Sequence, residues 1–327
     1  MSRYAFELKK GLEKRGITTH TINSIDIKHS PIKSCFDYVF YLPISSLLSN
    51  PKSDIYHITL NQTGLTADLL KRFTEKKVIT TIHDINPLLF TQKPYNVFLD
   101  SAVRLSVERS DLLIANSSQT KKDVVERYGI DENKIHVIPL GVDGRYAHLD
   151  IQKDDVFTVG YIGGFTESKD VQYLIRAYSI FEKTSKLRSR LLLYGKGPEI
   201  ESCKKLAEEL KIKSVKFMGF APEEKLLEVY NSFDVFVYPT NYEGFGLPIL
   251  EAQKCGIPVI VKYHAHIPED IVKYCLRSKD ETDMAEDIKK VSSRSFSYSS
   301  DHERYLSKFN WDKCVDATVS IYQKLLR

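Results

Sequence analysis

Much of what would announce a function is missing from this chain of 327 residues. Its five cysteines, Cys35, Cys203, Cys255, Cys275 and Cys314, are odd in number and show no C-x-x-C spacing. That pattern excludes a disulfide framework and a thiolate zinc site, and it reads as free thiols in a reducing compartment. No Asp-x-Asp triplet occurs, and His264-Ala-His266 brings no third ligand, so no resident metal is expected. A G-x-G-x-x-G fingerprint and a G-K-[ST] P-loop are both absent, which argues against a dinucleotide dehydrogenase and against P-loop chemistry. No apolar run reaches the ~20 residues that span a bilayer. The polar, helically patterned amino terminus is not expected to act as a signal peptide. The most apolar window, residues 36–48, is broken by Asp37, Pro43 and two serines. It is expected to be a packed connecting segment, with contact to a membrane or lipid the alternative. Charge of one sign is lacking too: 47 Lys and Arg stand against 43 Asp and Glu, net +4, too weakly basic to imply a nucleic-acid partner.

What is present is a repeated alternation of helix and strand. With 42% hydrophobic and 28% charged residues the composition is that of a globular protein, and the length predicts two domains. In the first half, helical patterns cover residues 3–14, 64–73, 94–109 and 118–128. Strand patterns cover 18–22, 54–59, 77–84, 111–115 and 134–139, several rich in β-branched residues. Gly16 has the place of a C-cap, and Ser117 or Ser118 that of an N-cap. The alternation restarts with strands at 157–163, 190–194, 215–218, 234–238 and 257–261. Helices are predicted at 170–183, 199–210, 223–231, 284–291 and 312–326. Two consecutive βα blocks imply two parallel sheets with helices on both faces. The polar, turn-rich stretch 141–155 is the expected linker.

One segment carries most of the chemistry. Asp234-Val-Phe-Val-Tyr238 reads as a buried strand and runs into Pro-Thr-Asn-Tyr-Glu243-Gly244-Phe245-Gly246-Leu247-Pro248. Pro248 has the place of a first helical residue. A strand, a glycine-bearing loop and a helix start then follow in order. Such a helix start directs backbone N–H groups and the positive end of the helix dipole at the loop, which suits a diphosphate. Glu243 and Glu251 bracket the loop. Carboxylates repel phosphate, so their expected work is to accept hydrogen bonds from sugar hydroxyls, and the whole suits a nucleoside diphosphate sugar. Lys169, in Gly163-Gly164-Phe-Thr-Glu-Ser-Lys169, also sits between a strand and a helix, where a lysine reaches a diphosphate as a mobile point charge. Glu167 and the backbone of Gly163 and Gly164 are placed to approach the phosphates.

Glu243 and Glu251, with the Gly-Phe-Gly-Leu-Pro between them, resemble the E-x7-E signature of retaining glycosyltransferases of the GT-B fold, family 4. The resemblance runs along nearly the whole chain. It implies an α/β fold of two Rossmann-like domains, parallel sheets facing across a cleft. The expected bounds are 1–144 for an acceptor-side domain and 145–308 for a nucleotide-sugar domain, with the terminal helix, 309–327, crossing back to the first. It further implies a hexosyl transfer to a hydroxyl of a glycan, lipid or small molecule. Metal is not needed, and no cofactor is expected beyond the nucleotide-diphosphate sugar as co-substrate. Glu251 would hold the ribose and Glu243 the transferred sugar. Gly244, Phe245, Gly246, Leu247 and Lys169 would surround the diphosphate, and the Gly195-Lys-Gly-Pro198 turn would lie on the base side. His83, closing a strand before Asp84, would meet sugar or acceptor. Asn116 would line the acceptor side or simply cap a helix.

The chain departs from the family in two places. Gly164 stands where the family has an arginine. Residues 1–4 lead straight into a helix, where a doubly wound domain needs a strand and a glycine turn. The first strand of the amino-terminal domain is therefore expected to be absent, with translation starting upstream or another segment filling its place. These departures keep a degenerate, non-catalytic partner subunit in view, beside a nucleotide-sugar epimerase of the same architecture. The expected location is the cytoplasm, with peripheral contact at the inner membrane face left open.

Overall fold

A computed structural model describes residues 2–23, 41–49, 53–85, 90, 95–293 and 296–327. The chain divides into two compact units, Met1–Gly141 with Phe309–Arg327, and Val142–Lys308. Cys35 and most of the loop after His83-Asp84 lie outside the described residues, as does the apolar window up to residue 40.

Unit 1 begins with α1 (Arg3–Lys14), which Ser2 caps by accepting from the Ala5 N–H. Then come α2 (Leu42–Ser49), β1 (Ile55–Ile58), α3 (Gly64–Phe73), β2 (Lys77–Ile82), α4 (Tyr95–Arg109), β3 (Leu112–Ala115), α5 (Ser118–Tyr128) and β4 (Ile135–Val137). The four strands lie in chain order and every pair is parallel. β2 is buried along nearly its whole length, as its unbroken Val-Ile-Thr-Thr-Ile run requires of a parallel strand covered on both faces. Ser117 is the N-cap of α5, and Gly129 ends that helix in the left-handed conformation that a side chain would disfavour. The remainder of the apolar window forms α2. Leu42 and Ser46 are buried there and Leu47 packs on the Ile58–Leu70–Val78 cluster, whereas Ile44 and Leu48 stand exposed.

Residues 18–22, expected as a strand, belong to no sheet. A strand persists only when a neighbour completes its hydrogen bonds, and among the described residues no strand lies beside this segment. The sheet of unit 1 therefore begins, in the described residues, with β1.

Unit 2 contains β5 (Phe157–Ile162), α6 (Val171–Thr184), β6 (Ser189–Tyr194), α7 (Ile200–Glu209), β7 (Val215–Gly219), α8 (Leu226–Asn231) and β8 (Val235–Tyr238). It continues with α9 (Leu247–Lys254), β9 (Val259–Lys262), α10 (Glu269–Val272), β10 (Leu276–Ser278), α11 (Glu281–Ser292) and α12 (His302–Leu306). Its six strands run β10-β9-β8-β5-β6-β7, all parallel. The order reverses beside β5, and at such a point the carboxyl ends of open α/β sheets hold ligands. The aromatic core packs Phe233 and Phe236 near-parallel at 6.4 Å between ring centroids. Gly160 is required there, since a Cβ would lie 2.2 Å from the Phe233 ring.

The terminal helix α13 (Trp311–Leu326) belongs to unit 1. Gly11 of α1 lets it approach closely: a Cβ there would sit 2.4 Å from Val315 Cγ2. Arg15 donates to Asp316 at 2.7 Å from the end of α1. Trp311 packs on Gly141, where a Cβ would meet the indole at 2.5 Å, so the lone tryptophan is a packing residue.

Candidate functional site

In unit 2, four buried residues of β8 carry the chain to the loop 239–246. Gly246, at φ 95°, is the N-cap of α9 and offers no side chain to its first turn. Only glycine adopts that backbone without strain. Pro248 is the second helical residue. The loop is pinned from behind: Asn241 N–H donates to Ser168 O at 2.8 Å, and the Thr240 hydroxyl donates to the same carbonyl at 3.1 Å. Those two bonds set the segment 166–169 against the loop, and Lys169 Nζ is ion-paired with Glu243 Oε1. Both side chains are largely buried, 18% and 13% exposed. The ammonium also lies 5.5 Å from the Tyr238 ring centroid, within cation–π range. Burial first, then the Glu243 carboxylate, pushes the Tyr238 and Tyr161 hydroxyls well above their ordinary values, so both stay protonated.

Glu251, one turn into α9, is buried and accepts a hydrogen bond from the Tyr230 hydroxyl at 2.9 Å. Burial, with Glu251 next, drives that hydroxyl well above its usual range too. The bond fixes the carboxylate's direction. Asp170, beside Lys169, holds the left-handed conformation at φ 41° while capping α6. Lys262 bonds its carboxylate and also donates to Asn241 Oδ1 at 2.8 Å. A non-glycine residue in that region is strained, and the Lys262 bonds hold it there.

The glycine turns interlock. Gly195 has φ 142°, and a Cβ would fall 1.7 Å from Gly163 O. Phe165 N–H donates to Lys196 O at 2.9 Å, and the Tyr161 hydroxyl donates to Gly164 O at 2.7 Å. Gly164 itself is not sterically compelled: a Cβ would find its nearest atom 3.8 Å away. The Phe245 side chain is buried at 5% exposure and packs in the core, so a donor role for it rests on backbone alone. Leu247 opens α9. His266 stacks on Tyr242 at 4.7 Å between centroids, and among the described residues no three His, Cys, Asp or Glu side chains form a metal-holding group.

The residues expected on the acceptor side lie together in unit 1. His83 follows β2, and burial pushes its imidazole down to about 4. Its Nε2 is buried with no hydrogen-bond partner among the described residues. Asn116 Nδ2 donates to His83 O at 2.8 Å and Asn61 Nδ2 to Asp84 O at 3.0 Å, so Asn116 positions the His83 backbone. The Tyr4 ring meets His83 edge-on at 4.8 Å. Behind it is a histidine that the sequence did not single out. His57 has Nδ1 2.5 Å from the Tyr322 hydroxyl and Nε2 2.7 Å from Thr81 Oγ1. Burial, with His83 nearby, pushes it down to about 3.

The family model "Glycosyl transferases group 1" matches residues 150–307, and "Glycosyltransferase Family 4" matches residues 1–145. The chain is 25% identical to O-antigen chain mannosyltransferase B of Escherichia coli over 277 residues, 76% of this chain and 71% of that protein. It is 26% identical to D-inositol 3-phosphate glycosyltransferase of Corynebacterium jeikeium, over 67% of this chain but only 58% of that one. In fold it resembles sucrose-phosphate synthase from Thermosynechococcus elongatus, with TM-score 0.79, 18% identity, and 98% and 92% of the two chains covered. The Anabaena protein HepE, solved in complex with UDP and glucose, gives TM-score 0.73 at 17% identity, covering 96% and 88%.

Proposed function

The chain belongs to the group 1, family 4 glycosyltransferases of the GT-B fold, which use nucleotide sugars, and we propose that it moves a hexosyl group from a nucleoside diphosphate sugar to a hydroxyl acceptor with retention of configuration and without a metal. The observation that carries this reading is the Lys169–Glu243 ion pair beside the amino end of α9. A diphosphate arriving there draws the Lys169 ammonium to its oxygens. Glu243 is released to accept hydrogen bonds from the sugar, and the helix dipole and backbone N–H groups take the rest of the charge. Glu251, aimed by Tyr230, accepts from a ribose hydroxyl. The bond from the anomeric carbon to the phosphate oxygen breaks, and the acceptor oxygen bonds to that carbon on the same face. The acceptor proton passes to the departing phosphate, so no protein base is needed.

The acceptor is a glycan or a lipid-linked glycan, and His83 is its contact on unit 1. Among the described residues no helix is long and apolar enough to cross a membrane. Exposed Ile44 and Leu48 on α2 suit peripheral contact with a lipid surface. The test is a thermal-shift screen of nucleoside diphosphates, followed by transfer from the matching sugar nucleotide and determination of the product's anomeric configuration by NMR. No stabilisation by any nucleoside diphosphate, or an inverted product, refutes the reading.

A further inference from the structure

Lys262 closes β9, one residue past the point where Val261 pairs with Tyr238, so it stands at the sheet end from which the loop 239–246 leaves. Its side chain is largely buried, 12% exposed. The ammonium lies 4.2 Å from the Tyr173 ring centroid, donates to Asn241 Oδ1 at 2.8 Å and is ion-paired with Asp170 Oδ2. The other oxygen of Asp170 accepts from the Tyr173 N–H at 3.3 Å. Both oxygens of the carboxylate next to Lys169 are thereby engaged, and Lys169 pairs with Glu243 instead. Asp170 has further anions about it. Glu199, just ahead of α7, has its carboxyl pushed up by burial first and then by Asp170 and Glu167. Lys169 thus lies in the chain between Glu167 and Asp170, and the transfer chemistry proposed above uses neither.

We infer that Lys262 is a positioning residue for the diphosphate: it holds the Asp170 carboxylate in an ion pair of its own and so leaves the Lys169 ammonium to the phosphate oxygens, a role that rests on the diphosphate binding proposed for Lys169. With Lys262 gone, Asp170 Oδ2 loses its cation on the residue next to Lys169. It then competes with the diphosphate for the Lys169 ammonium and repels the phosphate oxygens. Partly buried charges are screened little by salt, so the competition persists at ordinary ionic strength. Charge, and not scaffolding, is what Lys262 adds. The loop and the segment 166–169 are already joined by the bonds from the Asn241 N–H and the Thr240 hydroxyl to Ser168 O, and the His266 N–H donates to Asn241 O at 2.8 Å. The cap of α6 likewise uses the Asp170 oxygen that Lys262 does not bond.

The test is calorimetric titration of the full chain with UDP, GDP and ADP in turn. For whichever binds the wild type, Lys262→Met, which removes the charge and keeps an apolar stem beside Tyr173, is expected to weaken affinity about tenfold or more. Asp170→Asn keeps an N-cap acceptor and tolerates the left-handed backbone, and its affinity is expected to equal or exceed that of the wild type. The double variant, Lys262→Met with Asp170→Asn, is expected to return to within about threefold of the wild type, since no carboxylate is left to compete for Lys169. A lysine that only braces the fold gives the opposite pattern: the double variant stays as weak as Lys262→Met, and Asp170→Asn alone is weakened too. Either result overturns the inference, as does an unchanged affinity in Lys262→Met. If Lys262→Met does not fold, Asp170→Asn decides alone. If none of the three nucleotides binds the wild type, the donor site proposed at Lys169 is refuted and this role for Lys262 with it; where one binds, the variants refute the role of Lys262 and leave the donor site standing.

Discussion

Replacement of Glu251 separates the bond it makes to Tyr230 from the ribose contact proposed for it. One oxygen accepts from Tyr230 at 2.9 Å, and that hydroxyl belongs to a fully buried ring. Glu251→Ala leaves the hydroxyl without this partner, a penalty of about 1–3 kcal/mol. For a unit of this size each kcal/mol lowers the melting temperature by about 2–4 °C. The same change would remove the proposed charge-assisted hydrogen bond to the nucleotide, worth about 1.5–3 kcal/mol, so the dissociation constant is expected to rise about tenfold to about 150-fold. Glu251→Gln divides these effects. Its amide oxygen still accepts from Tyr230, so stability is largely kept. The bond to the ribose becomes neutral, at a cost of about 1 kcal/mol or about fivefold in affinity. Calorimetric titration of the preferred nucleoside diphosphate, paired with thermal unfolding, reads both quantities. If Glu251→Ala lowers the melting temperature while nucleotide affinity stays unchanged, Glu251 is only a buried anchor for Tyr230 and has no place in the donor site.

The sequence disclosed those parts of the molecule whose cause is local. β5, β6 and β8 are buried by helices, so they appear as short unbroken apolar runs. β10, α10 and α12, three to five residues each, are too short to show a period. Residues 18–22 have a strand's composition and no sheet, because pairing depends on a neighbour that composition does not report. At the site, Glu243, Lys169 and Glu251 were legible from their spacing around glycine turns. Their supports were not. Tyr230 lies 21 positions before Glu251, and Lys262 lies 92 after Asp170; folding alone brings each pair together. His57 meets Tyr322 across 265 positions. Tyr238, the last residue of β8 and directly ahead of the motif, was the one support that position could have revealed.

Gly164→Arg is expected to tighten nucleoside diphosphate binding about tenfold with stability unchanged, since a Cβ there meets nothing closer than 3.8 Å; weaker or equal binding in the titration would count against a phosphate nearby. Transfer is expected to persist in excess chelator, and a strict need for Mg²⁺ or Mn²⁺ would overturn the scheme in which Lys169 and the start of α9 carry the leaving charge. The unfolded chain protonates its histidines near 6.5, whereas burial holds His57 at about 3 and His83 at about 4 in the folded state. Their contribution is therefore complete above about pH 6.5 and is lost as pH falls toward those values, by up to about 1.4 kcal/mol per pH unit for each. Urea unfolding across this range should show a shallower slope for His57→Gln, and an unchanged slope would mean that His57 takes no part. Lys169→Arg tests the exchange of partners itself. The ammonium is a compact charge that leaves Glu243 by rotating a flexible stem. A guanidinium would grip Glu243 with two parallel bonds and stack on Tyr238, whose ring centroid the lysine already approaches to 5.5 Å. Nucleotide affinity is expected to stay within about threefold while kcat falls about tenfold or more, because the charge remains but its release from Glu243 is hindered. Lys169→Ala should lower both. Full kcat in the arginine variant would show that positive charge alone suffices at this position and that Glu243 need not be released for transfer to proceed.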